Sequence, residues 1–251
     1  MGETVVASPE PAEPPRLSLF QRFIGVYFSP GPTFADIARK PDFIAPLIAG
    51  IVGGVAVSET MLAKVGMDRL IRMSIEQSGR ASNMSPEQME QAVHRGAQVA
   101  GILAHLGGLL GAPIYLLIIA ALGLLIANVI FGGQTKFKTC FSISCYAYLV
   151  SWVSFALAIL MILFGDLGTF NPQNFVPTNL GFFLNPMETS KALYAFASSL
   201  DVISFWFLAL VALGLSAATR RKARTMPVFF TFVCFWAIWV LIKVSWSILV
   251  G

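Results

Sequence analysis

The chain has 251 residues, of which 56% are apolar and 12% are charged, with a formal net charge of +4. Its mean hydropathy is +0.74, and its charged fraction is about half of what soluble domains carry. So few charged side chains cannot cover the surface of a soluble protein of this length. The composition therefore excludes a soluble globular enzyme, a disordered chain and a small disulfide-rich secreted domain, and it predicts a polytopic membrane protein.

Residues 1–16 are rich in proline and glutamate. They show no basic stretch running directly into an apolar one, so we expect no cleaved secretory signal. We predict a disordered cytoplasmic tail here, with some extended polyproline character.

Residues 17–42 form an amphipathic segment. Six apolar side chains recur at three- and four-residue spacing, which places them on one face of a helix, and Arg16, Gln21 and Arg22 flank that face. The apolar residues are Leu17, Phe20, Phe23, Ile24, Tyr27 and Phe28. The segment is too short to cross a bilayer, so it is predicted to lie in the headgroup plane. Packing of the same aromatic stripe on the transmembrane bundle is an equal and compatible interpretation. A second short helix is expected from 32 to 40, after the break at 29–32.

Five apolar runs are long enough to cross, against a requirement of about 20 residues. They lie at 43–63, 103–130, 139–164, 200–218 and 228–249. Each is predicted to be helical, because a spanning backbone must satisfy its own hydrogen bonds. The sequence thus predicts an all-α, polytopic membrane helix bundle, with a five-span domain over residues 43–250.

The basic residues suggest an orientation. Most Lys and Arg residues lie on one predicted side of the membrane, in the N-terminal segment and in the two short turns near 131–138 and 219–225. Fewer Lys and Arg residues lie on the other side, in the two longer connectors. Because Lys and Arg favour the cytoplasmic side of short loops, we expect a cytoplasmic N-terminus and a C-terminus outside an inner (plasma) membrane. The connector 64–98 is predicted to be helical, with a helix that starts behind the Ser85 cap and runs into the second span. The connector 165–199 is predicted to be irregular.

Glycines at four-residue spacing occur in two of the runs. Gly50 and Gly54 lie in the first, and Gly107 and Gly111 lie in the second. The pattern permits close approach of two helices, either within the chain or at a dimer face, with packing within the chain favoured.

Ionisable residues inside apolar runs are costly and are functional candidates by default. Glu59 and Lys243 stand at similar depths in the first and last runs, and Asp201 opens the fourth run at a similar level. We expect Lys243 to pair with Glu59, Asp201 or both. Such a pair could fix helix register or carry protons or ions with His105, and Lys243 could instead extend to the outer headgroups.

A candidate surface for lipid or partner binding lies on the cytoplasmic side. It combines an aromatic group with a basic cluster at the bilayer boundary, where each cation adds about 1 kcal/mol of attraction to anionic lipid. The alternative is that the cluster serves topology alone. The residues are Phe20, Phe23, Tyr27, Arg220, Arg221, Lys222 and Arg224. The basic charge follows membrane topology, so no nucleic-acid partner is expected.

No enzymatic, cofactor or metal signature is found in the sequence. The two histidines, His94 and His105, are not at zinc-site spacing, and no nucleophile elbow or phosphate loop is present. The three cysteines lie in apolar runs and are interpreted as small apolar side chains. We therefore expect no catalytic residues, no cofactor and no metal.

The arrangement resembles the Yip1-domain family. The similarity rests on FSPGPTF at 28–34 followed by Pro41, on the glycine-rich basic turn FGGQTKFK at 131–138, and on Tyr146 and Tyr148 just beyond it. It extends from about residue 17 to 249 and is nearer to the bacterial members. The eukaryotic Asp-Leu-Tyr-Gly-Pro-like segment is absent, which argues against the Rab GTPase partner that eukaryotic members contact.

The resemblance implies an integral membrane protein that is not an enzyme. We predict a membrane-organising or partner-scaffolding protein that acts through lipid headgroups and membrane-protein partners on its cytoplasmic face. The alternative is a small transporter or channel subunit that uses Glu59, His105 and Lys243. The oligomeric state is not predicted.

Overall fold

The computed structural model describes residues 16–77, 80–165, 171, 174–186, 188–219 and 222–249. Over these residues the chain forms helices and no β-strand, and one isolated bridge joins Asn179 to Asp201. The predicted all-α membrane helix bundle is confirmed. The predicted tail lies outside the described residues, apart from Arg16.

Two short helices precede the bundle. Helix α1 spans Leu19–Phe28 and α2 spans Pro30–Arg39, so only Ser29 separates them. Helix α2 begins two residues before the predicted start, because a proline is well tolerated in the first turn of a helix.

Among the residues that the structure describes, four helices are long and apolar enough to cross a membrane. The first is α3, Ile44–Lys64; the second is α5, Pro86–Leu125, which continues as a π turn to Ile130. The third combines α6, Phe137–Ala147, a 3-10 turn at Tyr148–Val150 and α7, Ser151–Phe164. The fourth is α10, Thr225–Leu249.

A fifth apolar helix, α9, spans Val202–Ala218. It has 17 residues, a length of roughly 26 Å, which is at the lower end of what crosses a bilayer. The chain is thus a multi-pass membrane protein, with four full-length candidate spans and a shorter fifth one.

The two long connectors differ. The first holds α4, Met67–Gln77, and a 3-10 turn at Arg80–Asn83. Helix α5 then begins at Pro86 behind a capping box made by Ser85 and Gln88 and runs without interruption into the membrane span, as predicted.

The second connector contains structure that the prediction of an irregular segment missed. A 3-10 turn occupies Leu180–Phe183, and a short helix, α8, occupies Lys191–Ala197. The Ser190 hydroxyl accepts a hydrogen bond from the Leu193 backbone N–H, so α8 has the usual N-cap signal.

Helix α6 is the centre of the molecule. Every residue from Thr139 to Ala147 is buried, and α1, α2, α3, α5 and α9 all pack on it. The largest core side chains around it include Phe34, Leu116, Ile143, Tyr146 and Leu215.

One of the four predicted glycines, Gly54, lies where α3 and α5 approach each other closely, and its neighbour on α5 is Gly108. A Cβ atom on Gly54 would lie 3.1 Å from the Gly108 carbonyl oxygen. The prediction of close packing within the chain is confirmed at this contact. Gly107 and Gly111 face open space in the monomer.

Candidate functional site

The N-terminal helices form a tight hairpin. The Ser18 hydroxyl accepts from the Gln21 backbone N–H, and the Gln21 amide oxygen accepts from the Ser18 backbone N–H, which completes a capping box at α1. Where the helices meet, a Cβ atom on Gly25 would lie 2.1 Å from the Thr33 hydroxyl. Only glycine allows the two helices to approach this closely.

A buried arginine holds the hairpin closed. The Arg22 side chain is 1% exposed, and its Nε and Nη2 atoms lie 2.9 and 2.7 Å from Oδ2 of Asp36 on α2. Its Nη1 atom donates to Asp42 at 2.8 Å, and Nη2 also donates to the Lys40 carbonyl at 3.1 Å. The planar guanidinium thus joins α1, α2 and the segment leading into α3.

The same network attaches the hairpin to the central helix. The Tyr146 hydroxyl on α6 donates to Oδ1 of Asp42 at 2.6 Å. The Arg22 guanidinium also lies 5.8 Å from the centre of the Tyr146 ring. We call the group Arg22, Asp36, Asp42 and Tyr146 the clamp.

Two more arginines border the clamp at its solvent side. Arg16 pairs with Asp42, and Arg39 lies 3.1 Å from the second oxygen of Asp36. These two side chains are half and 38% exposed, so water screens their ion pairs far more than those of Arg22.

The clamp keeps its arginine charged. Burial lowers the pKa of the Arg22 guanidinium, but hydrogen bonds to Tyr146 and Asp36, with the charges of Asp42 and Asp36, raise it above its ordinary value. The clamp therefore neutralises Arg22 by pairing and not by proton loss.

Aromatic contacts extend the attachment along the bundle. The Tyr27 hydroxyl donates to the Leu149 carbonyl, and its ring packs edge-on against Trp206 of α9. Burial raises the pKa of Tyr27. Leu149 is twelve residues beyond Phe137, a rise of roughly 18 Å. The hairpin tip thus lies beside the middle of the third long helix and not beyond its end.

The opposite face of α1 is bare. Among the described residues, three large apolar side chains there, Phe20, Ile24 and Phe28, are 74, 44 and 81% exposed. Leu19 is 51% exposed in the first turn of α1, but it lies seven residues before the buried Val26 and therefore on the packed face. Of the predicted aromatic surface, Phe20 is exposed, whereas Phe23 and Tyr27 pack against the core.

A basic groove adjoins the hairpin. It has a volume of about 1180 Å³ between α2 and the facing ends of α9 and α10, with Arg39 and Arg224 in its lining. Lys222, two residues before Arg224, is also exposed. The predicted cluster members Arg220 and Arg221 lie outside the described residues.

The ionisable candidates of the apolar runs fall at two separate places. Glu59 on α3 lies beside His105 on α5, with 2.6 Å between Oε1 and Nδ1. Lys243 on α10 instead donates to the Ser199 hydroxyl at 3.0 Å. Over the described part of the chain, no ion pair joins Lys243 to Glu59 or to Asp201.

Asp201 caps a helix. It accepts hydrogen bonds from the Ile203 backbone N–H and the Ser204 hydroxyl at the start of α9. It does share a cavity with Lys243. The structure thus brings these two candidates to one place and leaves Glu59 at another.

The residues described in the structure contain no group of three or more His, Cys, Asp or Glu side chains placed to hold a metal ion. The clamp was not found by sequence reasoning, which treated Arg22 as the polar flank of α1. The available signal was the occurrence of Asp36 and Asp42 close to Arg22, in a chain with only 13 acidic residues.

Comparison with known proteins gives one positive result. The sequence matches the Yip1 domain over residues 24–246. This stretch includes most of the hairpin, the clamp except for Arg22, and the apolar bundle helices apart from the last three residues of α10. No curated protein and no solved structure matches the chain. The chain belongs to the Yip1-domain family.

Proposed function

We propose that this protein is a non-enzymatic membrane organiser whose α1–α2 hairpin inserts into the cytoplasmic leaflet. The observation that carries the proposal is the two-sided character of α1. One side is fixed to the bundle by Arg22 and Tyr27, and the other presents three exposed apolar side chains, Phe20, Ile24 and Phe28.

A helix with one apolar side and flanking basic groups binds at the lipid interface, and such binding responds to membrane curvature. In this chain the hairpin tip, with exposed Phe28, reaches beside the middle of a spanning helix. The hairpin would occupy area in one leaflet without reaching the other. It would thus act as a wedge that favours curved membrane.

The basic groove supports the same orientation. Arg39 and Arg224 line the groove beside the hairpin, where anionic headgroups would meet them, and exposed Lys222 is two residues before Arg224. The proposal includes a cytoplasmic N-terminus, an outside C-terminus and an inner-membrane location. The hairpin and the basic groove would position membrane-protein partners that bind the cytoplasmic side.

Reconstitution into vesicles of graded diameter, made from anionic and zwitterionic phospholipid, tests the proposal. Wild-type protein should be enriched in the smallest vesicles, and the double variant Phe20→Ser/Phe28→Ser should lose the enrichment. Phe183→Ser is the matched control, because Phe183 is 72% exposed on the second connector. Equal enrichment of the wild type and the double variant in a correctly folded state would contradict the proposal.

A transporter or channel subunit is the second candidate. The contact between Glu59 and His105 across α3 and α5 favours it, since paired ionisable groups at membrane depth are typical of proton relays. Lys243 lines a cavity whose lining includes neither of them. Proton or ion flux in proteoliposomes that Glu59→Gln abolishes would support this candidate over the first.

A further inference from the structure

A second cavity lies at the other end of the bundle. It has a volume of about 590 Å³ between α5 and α10 and is bounded by the end of α8 and the start of α9. This volume is within the range of small-molecule sites, about 300–1,000 Å³. Helix α2 packs beside the last turns of α9, whereas the cavity includes Asp201, just before the first turn of α9. The polar end of the cavity therefore lies away from the hairpin.

The cavity has a polar and an apolar end. Lys243, Ser199, Asp201 and Ser204 line the polar end, near the end of α8 and the start of α9. Deeper in the bundle the lining becomes apolar and aromatic. From Lys243 down to Phe232 along α10 is eleven residues, a rise of roughly 16 Å.

The cation at the polar end has unused donor capacity. Lys243 carries three N–H donors, and in the described part of the chain one donates to Ser199. Ser199 in turn donates to the Ala195 carbonyl at 2.8 Å. An ammonium group in an apolar helix is costly unless an anion or water meets it.

The acid at the polar end is already engaged. The Asp201 carboxylate accepts hydrogen bonds from the Ile203 backbone N–H and the Ser204 hydroxyl at the start of α9. The partial positive charge of the helix N-terminus there offsets the negative charge of the carboxylate. Lys243 therefore faces the cavity with a positive charge that no ion pair among the described residues neutralises. Such a charge favours an anionic ligand.

The wall toward the bilayer is made of aromatic side chains. Trp239 is 64% exposed and Trp236 lines the same wall. Tryptophan has an apolar ring and one polar N–H group, and it is enriched at the headgroup level of membranes. The cavity thus joins a cationic polar end to an apolar channel, and exposed Trp239 forms part of its wall.

We propose that this cavity is a binding site for one phospholipid of the leaflet opposite the hairpin. Its phosphate lies against Lys243 and Ser199, and an acyl chain lies along Leu122, Leu208 and Phe232. Lysine binds phosphate as a point charge. The site is separate from the hairpin and the basic groove, so it does not depend on the proposed membrane-organising function.

Native mass spectrometry of the delipidated full-length protein in detergent tests the site. The chain is titrated with phosphatidylglycerol, with diacylglycerol of the same acyl chains, and with inorganic phosphate. Wild type should bind one phosphatidylglycerol per chain, and Lys243→Met should weaken that binding about tenfold, as expected for loss of a charge-assisted hydrogen bond.

Three further variants make the result specific. Lys243→Arg should keep most of the affinity, and Leu122→Trp should weaken phosphatidylglycerol and diacylglycerol alike by filling the apolar end. Lys64→Met, which removes a lysine at the end of α3 outside the cavity, should bind as wild type does. The proposal is overturned if Lys243→Met binds phosphatidylglycerol as wild type does, if diacylglycerol binds as tightly as phosphatidylglycerol, or if inorganic phosphate alone occupies the site.

Discussion

Two cationic side chains at opposite ends of the bundle are treated differently by the fold. Arg22 is buried and meets two carboxylates, a carbonyl and a tyrosine ring. Lys243 is exposed toward a cavity and meets one hydroxyl. Arg22 thus stabilises the structure through its partners, whereas Lys243 has the charge that the proposed lipid phosphate would meet.

The chemistry of the two side chains fits this division. A guanidinium is planar and can hold two carboxylates in fixed directions, whereas an ammonium is a compact charge on a flexible stem. The clamp needs fixed geometry because it joins three segments of the chain. The proposed lipid site would need only a charge that can follow the phosphate.

Replacing Arg22 should have the largest effect. In Arg22→Ala, Asp36 and Asp42 lose their central partner while Asp36 stays buried. Removing one member of a buried ion pair costs about 3–5 kcal/mol. We expect about 3 kcal/mol, because Asp42 is 34% exposed and water can reach it. Thermal unfolding in one fixed detergent measures the loss.

Arg39→Ala is the matched control for the clamp. Arg39 pairs with the same Asp36, but its side chain is 38% exposed. An exposed pair contributes about 1 kcal/mol or less. If the two alanine variants unfold alike, burial and geometry do not distinguish these arginines, and the comparison fails.

A close contact beneath the hairpin should be the next most sensitive place. In Gly214→Ala, the new Cβ atom would lie 2.4 Å from Ile143 Cγ2 and 2.9 Å from Phe34 Cδ1. Overpacking of this kind costs about 1–3 kcal/mol. Circular dichroism melting of the variant would show the loss.

Gly101→Ala supplies the opposite case. A Cβ atom on Gly101 meets nothing within 4 Å, and alanine is the better helix former by up to about 1 kcal/mol. Its melting temperature should be unchanged or higher. A fall as large as that of Gly214→Ala would show that glycine flexibility, and not the packing of the hairpin, decides stability.

The Tyr146 hydroxyl should contribute a smaller amount. Tyr146→Phe keeps the ring against Arg22 and removes the hydrogen bond to Asp42. The expected loss is about 1 kcal/mol, together with faster backbone hydrogen exchange over residues 19–39. Unchanged exchange in that segment would mean that the hydroxyl does not help to attach the hairpin.

Much of the bundle could be predicted because its signals are local. Apolar runs of about 20 residues mark spanning helices, and the cap at Ser85 marked the start of α5. Helix α8 was missed because its seven residues are too few for periodicity to stand out, although Ser190 gave a capping signal.

The clamp and the cavity lined by Lys243 were not predictable in the same way. Arg22 and Tyr146 are separated by more than a hundred residues, and no spacing rule joins them. The expected partner set for Lys243 came from matching depth along the helices. Depth does not give the angular position of a helix in the bundle, and that position puts Glu59 beside His105.

Removing the Lys243 charge should have the smallest effect on folding, and that expectation completes the contrast with Arg22. In Lys243→Met, Ser199 keeps its hydrogen bond to Ala195, and no buried carboxylate among the described residues loses an ion-pair partner. The free energy of unfolding should change by less than about 1 kcal/mol, in either direction. Thermal unfolding in the same detergent as for Arg22→Ala measures this change. A loss of the size predicted for Arg22→Ala would mean that Lys243 holds the bundle together as the clamp does. The charge would then be structural and would not be available to a ligand.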